Sequence, residues 1–262
     1  MNFVKNTKNT KEYKDCKSLY LRNLMEDFSL NKKASVRSMF DNIAFRYDFL
    51  NHFLSFGIDR CWRKTAIKII SGSYKNQMKI LDVATGTGDL AIAAMKLNPC
   101  HVTGIDISRK MLDAGREKVR RKGLSDKIDL IECDSENICF GDNSFDAAMV
   151  AFGVRNFTDS VKGLTEMKRV IRNGGLILIL EFSKPVRFPF SQIYSFYFRN
   201  ILPFIGRIFS KDRNAYRYLP DSVMQFPDNE MFINLMEKAG FANIQQKRLT
   251  GGIASIYTGI KL

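Results

Sequence analysis

Hydrophobic positions along the chain follow two rhythms. Val36, Met39, Phe40, Ile43 and Tyr47 recur at steps of three and four, which predicts a helix. A second helix is expected to begin near Asp59, with Trp62, Ala66 and Ile69 on one face, and Ser71-Gly72-Ser73 reads as a break. Beyond it, short apolar runs alternate with amphipathic stretches. Strands are expected at residues 79–83, 101–105, 128–133, 145–151 and 176–182. Helices are expected at 89–97, from an N-cap at Ser108 to Lys122 with Gly123 as its stop, and at 159–171 before Asn173-Gly174-Gly175. The run 176–182 is nearly all apolar, as befits the middle of a sheet covered on both faces. A helix at 228–239 and strands at 243–249 and 254–262 follow, and Gly251-Gly252 predicts that this last pair is an antiparallel hairpin. The pattern is that of an α/β protein: a Rossmann-like doubly wound sheet, mostly parallel with an antiparallel last strand, plus N-terminal helices and a helical insertion after strand five. Residues 1–70 are expected to form a tail and helical lid, and residues 71–262 a ligand-binding domain with its insertion at 184–218.

Composition narrows the class. With 262 residues, 45% hydrophobic and 26% charged, the chain is neither disordered nor fibrous. Five cysteines without a Cys-x-x-Cys pair, and only His52 and His101, argue against a disulfide framework and against a metal site, so a reducing cytoplasm is expected. The first twenty residues are polar and lysine-rich, unlike a signal peptide. The aromatic run from Phe188 to Phe209 is broken by Arg199 and Arg207 and falls short of the ~20 apolar residues of a spanning helix. Net charge is +14. Residues 1–68 carry 14 basic against 7 acidic side chains and residues 184–218 carry 7 against one, so these two stretches hold +13 of it. A near-neutral body with two basic appendages is not the profile of a domain coated by nucleic acid.

The turn after the first strand carries the chemistry. Gly86-Thr87-Gly88-Asp89-Leu90-Ala91 satisfies G-x-G-x-x-G/A, and Asp106 closes the next strand, as in a dinucleotide fingerprint. Asp82 in the strand end argues against that ligand, because its carboxylate would repel a pyrophosphate. S-adenosylmethionine instead brings an ammonium and a sulfonium to this turn, and Asp82 becomes a partner. Asp106 is then placed for both ribose hydroxyls, and Asp134 with Ser135 for the adenine edge.

These residues bring the chain into resemblance with the class I S-adenosylmethionine-dependent methyltransferases, and more narrowly with the UbiE/MenG family of quinone C-methyltransferases. The matching segments run from about residue 35 to the end. They include Val36–Ala44 continuing into Arg46-Tyr47-Asp48, Leu81–Leu90, Phe152-Gly153-Val154-Arg155-Asn156, Leu180-Glu181-Phe182-Ser183-Lys184-Pro185, Tyr216-Arg217-Tyr218-Leu219 and Thr250–Ala254. The resemblance implies that Thr87, Asp106, Asp134 and Ser135 contact the cofactor, and Asp82, Gly86 and Gly88 of the turn are expected to bind it as well. Two positions depart from the family pattern: Thr85 stands where glycine is common, and Ala151 where a serine often lies against the cofactor.

The resemblance further implies transfer of a methyl group to a ring carbon of a prenylated hydroquinone, demethylmenaquinol in the menaquinone branch or a methoxy-benzoquinol in the ubiquinone branch. Such chemistry needs a proton acceptor and a phenolate stabiliser. Arg155 and Asn156, just past strand four, are expected to stabilise and orient the phenolate. Tyr47 and Asp48 are expected to close over the site and accept the proton, with His52 as an alternative base. The expected partners are the quinol and, through the basic, aromatic insertion, the anionic inner face of the cytoplasmic membrane; a homodimer is compatible. The insertion reads equally well as a simple lid. A nucleic-acid methyltransferase is disfavoured by Ala151-Phe152-Gly153-Val154, which replaces the Asn/Asp-Pro-Pro-Tyr/Phe element of amino-methylating enzymes, and an NAD-dependent oxidoreductase by Asp82.

Overall fold

The computed structural model describes residues 31–48, 55–73, 77–186, 188–197, 200 and 213–262. The lysine-rich tail, His52 and the basic residues Arg187, Arg199, Arg207 and Lys211 lie outside the described residues. A first helix (α1, residues 31–43) leads through a 3-10 turn, Ala44–Arg46, to Tyr47 and Asp48. Helix α2 spans Ile58–Ser73. Strand and helix then alternate: β1 Lys79–Val83, α3 Asp89–Ala94, β2 His101–Asp106, α4 Arg109–Arg121, β3 Ile128–Glu132, β4 Phe145–Ala151, α5 Ser160–Val170 and β5 Ile171–Phe182. Helices α6 Phe190–Phe196, α7 Arg213–Gln225 and α8 Glu230–Lys238 follow, and β6 Ala242–Leu249 and β7 Ala254–Ile260 finish the chain.

Seven strands form one sheet in the order β3-β2-β1-β4-β5-β7-β6. The β1–β5 pairings are parallel, and β7 runs antiparallel to both β5 and β6. Strand alternation divides the core in two. Ile80, Leu178 and Leu180 pack on one face with Trp62, Ala66 and Ile70 of α2. Leu81, Ile177 and Ile179 pack on the other with Leu164 and Met167 of α5 and Phe232 of α8. Each face gains helices because the period-two pattern leaves both apolar. Local signals set the helix ends: Ser108 Oγ accepts from Met111 N at 3.2 Å, and Asp159 caps α5 through Lys162 N.

Two expectations need correction. The break at Ser71-Gly72-Ser73 is the last turn of α2, where Ser71 Oγ donates to the Lys68 carbonyl at 2.8 Å. The division at residue 70 therefore falls inside a helix whose buried face belongs to the main core, and α2 is no lid. Gly174-Gly175 does not separate α5 from β5 either. The strand starts at Ile171, paired with Phe145, and the register shifts before Leu176 pairs with Ala147. A Cβ on Gly175 would lie 2.1 Å from Ile171 Cγ2 and 2.7 Å from the Asp146 carbonyl oxygen, so the irregularity needs glycine.

Candidate active site

The site lies at the carboxyl ends of β1, β2 and β4, at the point where the strand order reverses. The backbone leaves β1 through Gly86 and Gly88, with φ of 56° and 79°, values that glycine adopts without strain. Gly88 N donates to the Thr85 carbonyl at 2.9 Å. Helix α4 presses on this turn at Gly115, where a Cβ would sit 2.7 Å from Leu130 Cδ1 and 3.1 Å from the Thr87 carbonyl carbon.

Asp106 braces the turn from β2. Its Oδ2 accepts from Gly86 N at 2.9 Å and its Oδ1 from Ser108 N at 2.8 Å. The carboxylate retains acceptor capacity for a ligand beside these backbone donors. Burial raises its carboxyl above the ordinary range, and the N–H groups of Ser108, Gly86 and Ile107 draw it back. Past β3, Asp134 Oδ1 accepts from Glu136 N at 2.9 Å, while Oδ2 meets Lys33 Nζ at 2.7 Å. Asp82 is buried, accepts from Thr85 Oγ1 at 2.6 Å, and is pushed up to about 7 by burial. The Thr85 hydroxyl, the Ala91 N–H and the Arg63 charge oppose that rise. Thr85, a departure from the family pattern, thus has a defined task.

Two cavities share Tyr47, Ala84, Gly86, Ala151 and Phe152 as walls. The first adds Asp106, Asp134 and Ser135 with apolar Ile107, Met111 and Phe157. The second adds Asp82, Thr85, Thr87, Asp89 and Arg63. An apolar slot with carboxylates at its rim suits a nucleoside, and a compartment holding a buried acid and a buried guanidinium suits an amino acid. The two halves of S-adenosylmethionine fit this donor set.

Helix α1 clasps the first cavity. Lys32 Nζ donates to the Phe157 carbonyl at 2.9 Å, Lys33 also pairs with Glu136 at 2.9 Å, Arg37 meets Glu132 at 2.6 Å, and Asp41 accepts from Ser108 Oγ at 2.6 Å.

Of the residues singled out from sequence, Tyr47, Asp82, Gly86, Thr87, Asp106, Asp134, Ser135 and Asn156 lie on the cavity walls. Gly88, Asp48 and Arg155 do not line either cavity. Asp48 accepts from Thr87 Oγ1 and pairs with Lys118. Arg155 is 6% exposed in its side chain; Nη1 donates to Glu181 Oε1 at 2.8 Å and to the Phe152 carbonyl, and the guanidinium stands 5.3 Å over the Phe182 ring. Its charge is spent on Glu181 rather than presented to the cleft. Asn156 does reach the cleft, with its Oδ1 accepting from the Tyr218 hydroxyl at 3.0 Å. Sequence reasoning assigned no role to Arg63, Lys33, Glu181 or Tyr218. The signal for Glu181 was present: a carboxylate inside an apolar strand requires a buried partner.

A family model described as the ubiE/COQ5 methyltransferase family matches residues 28–261. The demethylmenaquinone methyltransferase of Bacteroides fragilis is 48% identical over 231 residues, 88% of this chain and 94% of that protein. The ubiquinone/menaquinone biosynthesis C-methyltransferase UbiE of Geotalea daltonii is 48% identical over 237 residues, 89% of this chain and all of that one. Among solved structures, a SAM-dependent methyltransferase from Aquifex aeolicus superposes with a TM-score of 0.53 at 21% identity, covering 75% of this chain and 89% of its own. Phosphoethanolamine N-methyltransferase 2 of Haemonchus contortus, in complex with S-adenosyl-L-methionine, gives 0.56 at 16% identity over 76% of this chain and 52% of its own. Such distant structures establish the fold alone, whereas the family match spans nearly the whole chain. The chain belongs to the ubiE/COQ5 methyltransferase family and is an S-adenosylmethionine-dependent methyltransferase.

Proposed function

We propose that the chain methylates a ring carbon of a prenylated hydroquinone and converts demethylmenaquinol to menaquinol. The observation that carries this reading is the 48% identity, over 88% of the chain, to a protein named demethylmenaquinone methyltransferase. An equal identity to a protein named for both quinones keeps methoxy-benzoquinol methylation as the second reading. Steady-state comparison of the two quinols tests the choice: a higher kcat/KM for the naphthoquinol is expected, and a preference for the benzoquinol overturns it.

In this reading Asp106 accepts from the ribose hydroxyls, Asp134 and Ser135 meet the adenine edge, and Asp82 faces the ammonium. When bound, S-adenosylmethionine supplies a methyl group made electrophilic by its sulfonium. The protein's task is to make a ring carbon nucleophilic and keep water away. Asn156, fixed through the Tyr218 hydroxyl, orients the phenolic oxygen, and the Tyr47 hydroxyl on the wall common to both cavities relays the phenolic proton out to solvent; the ring carbon's own proton, displaced on methylation, leaves by the same route and restores the aromatic ring. Phe152 and Phe157 exclude water. Arg155 acts at one remove by pairing with Glu181 and fixing the loop that carries Asn156. Asp48 holds the end of the N-terminal segment against Thr87 and Lys118. Asn156→Ala and Tyr47→Phe should each lower kcat while sparing cofactor affinity; loss of affinity instead would move them to the cofactor site.

Membrane contact belongs to the same proposal. No helix among the described residues is long and apolar enough to cross a membrane. Val186, Phe188, Phe196 and Phe56 are nonetheless exposed at 70%, 80%, 60% and 74%, around the insertion that follows β5. Apolar side chains flanked by a basic segment suit a peripheral attachment that brings the enzyme to a lipid-dissolved quinol. Co-sedimentation with anionic but not neutral vesicles, weakened by salt, is expected. Equal binding to both, or to neither, would leave the insertion as a lid alone.

A further inference from the structure

Thr250, Gly251 and Gly252, between β6 and β7, all have positive φ, of 46°, 67° and 98°. Glycine adopts such values freely, whereas a β-branched threonine is strained there and stays only where its surroundings fix it. Trp62 Nε1 donates to Thr250 Oγ1 at 2.8 Å, and Ser183 Oγ donates to the Gly252 carbonyl at 2.8 Å. Trp62 also packs on Phe152 and Phe182, with ring centroids 6.0 and 6.1 Å away, so the turn is tied to the wall of the cleft. Gly251 carries the Phe190 ring: a Cβ there would lie 2.3 Å from Phe190 Cγ and 2.4 Å from Cδ2. A side chain at 251 would lift the ring away. The turn lines neither cavity, so the donor site does not account for its strain.

We infer that the Thr250–Gly252 turn is the seat of helix α6, and that Phe190, docked on it, is a positioning residue for the methyl acceptor; the inference rests on placing Asn156 at the acceptor's oxygen. Phe190 and Tyr194 stand one helical turn apart on α6 and share a face. Tyr194 is 7% exposed. Burial raises its phenol, and the charges that act on it next are those of Asp228, Arg155 and Glu181. Helix α6 therefore enters the core beside the Arg155–Glu181 pair.

Arg155 depends on what packs beside it. Nη1 serves Glu181 and the Phe152 carbonyl, but Nε is buried with no partner among the described residues. Tyr218 of α7 flanks the pair as well: burial raises its phenol, the Arg155 and Glu181 charges act on it, and its hydroxyl donates to Asn156. Lifting α6 at Phe190 would shift Tyr194, loosen Arg155 and so displace the loop that carries Asn156. Neither Phe190 nor Tyr194 lines a cavity, so this path reaches the acceptor side without touching the donor's walls.

The test uses Phe190→Ala in the full chain. With a short-tailed quinol, kcat should fall roughly 10- to 100-fold, up to the scale of a 1 Å misplacement, while S-adenosylmethionine affinity by calorimetry stays within about threefold. Phe190→Leu keeps an apolar branch on the turn and should recover part of the loss. Hydrogen exchange should quicken in residues 190–196 and 152–157 and stay unchanged in residues 85–90. Gly251→Ala should reproduce these effects, and adding it to Phe190→Ala should lower kcat no further, because one contact is lost only once. If Gly251→Ala does not fold, the Phe190 variants decide alone. Unchanged exchange at residues 152–157 in Phe190→Ala overturns the inference, whichever quinol is the substrate. So does an unchanged kcat, or a loss of donor affinity as large as the loss of kcat, which would mark the contact as general stability. Wild-type rates on the two quinols test the acceptor assignment separately: activity on the benzoquinol alone corrects the substrate and leaves the variant-to-wild-type ratios to judge α6.

Discussion

Replacing Glu181 with glutamine removes one charge from the core while keeping the shape of the side chain. Glu181 is fully buried; it accepts from Arg155 Nη1 at 2.8 Å, from Phe182 N at 2.9 Å and, through its other oxygen, from Arg155 N at 3.3 Å. Arg155 is 6% exposed in its side chain, and Glu181 is its only salt-bridge partner among the described residues. Glutamine with its carbonyl oxygen in the Oε1 position can keep the two bonds made there, but it turns an N–H toward Arg155 N and leaves the guanidinium charge uncompensated. Breaking a buried pair in this way costs about 3–5 kcal/mol, a large share of the ~5–15 kcal/mol that stabilises a typical domain. Urea denaturation should show the midpoint falling with m unchanged. The double variant Glu181→Gln with Arg155→Met removes both charges and should recover most of the loss, because the penalty lies in the stranded ion. A Glu181→Gln protein within about 1 kcal/mol of wild type, or a double variant no more stable than the single, would refute the account of this pair.

Three further outcomes follow from the cleft. Asp106→Ala should weaken S-adenosylmethionine binding by ~1.5–3 kcal/mol on calorimetry, the range for hydrogen bonds to a charged group, and unchanged affinity in a folded variant would contradict the ribose assignment. Asp82, raised to about 7 by burial, is mostly protonated at pH 6 and must ionise to face an ammonium. Ligand binding at pH 6 should therefore release close to one proton and tighten as pH rises through 7. Calorimetry in buffers of different ionisation enthalpy should see this release in wild type and not in Asp82→Asn; its absence from wild type would contradict the pairing. Gly115→Ala places a methyl 2.7 Å from Leu130 Cδ1 and 3.1 Å from the Thr87 backbone, and should cost ~1–3 kcal/mol in thermal or urea unfolding. A neutral effect would show that α4 can yield there.

The parts of the site legible in sequence are those built from local chain. Asp82, Gly86 and Asp106 stand where an apolar run ends, so the period-two pattern places them at strand ends before any tertiary contact is known. Ser108 announced its helix by capping it. The Arg155–Glu181 pair was not legible, because it joins residues 26 apart through the pairing of β4 with β5. Position after a strand suggested that Arg155 faces a ligand, and only the packing shows its charge spent on Glu181. Arg63 escaped notice because the pattern of α2 marked only its apolar positions, Trp62, Ala66 and Ile69, within an expected lid, and packing alone brings the guanidinium to the wall of the second cavity. The boundary at residue 70 failed for a related reason. Ser and Gly weaken a helix by local preference, yet Trp62, Ala66 and Ile70 bury enough apolar surface to carry α2 through them.

The most direct test supplies the purified enzyme with S-adenosylmethionine carrying a 13C methyl group and a short-tailed demethylmenaquinol, and locates the label in the product by NMR and mass spectrometry. The account predicts labelled menaquinol with the methyl on the ring carbon, formed one for one with S-adenosylhomocysteine. Label on a quinol oxygen, or no transfer to either a naphthoquinol or a methoxy-benzoquinol by enzyme that binds the donor, would contradict it.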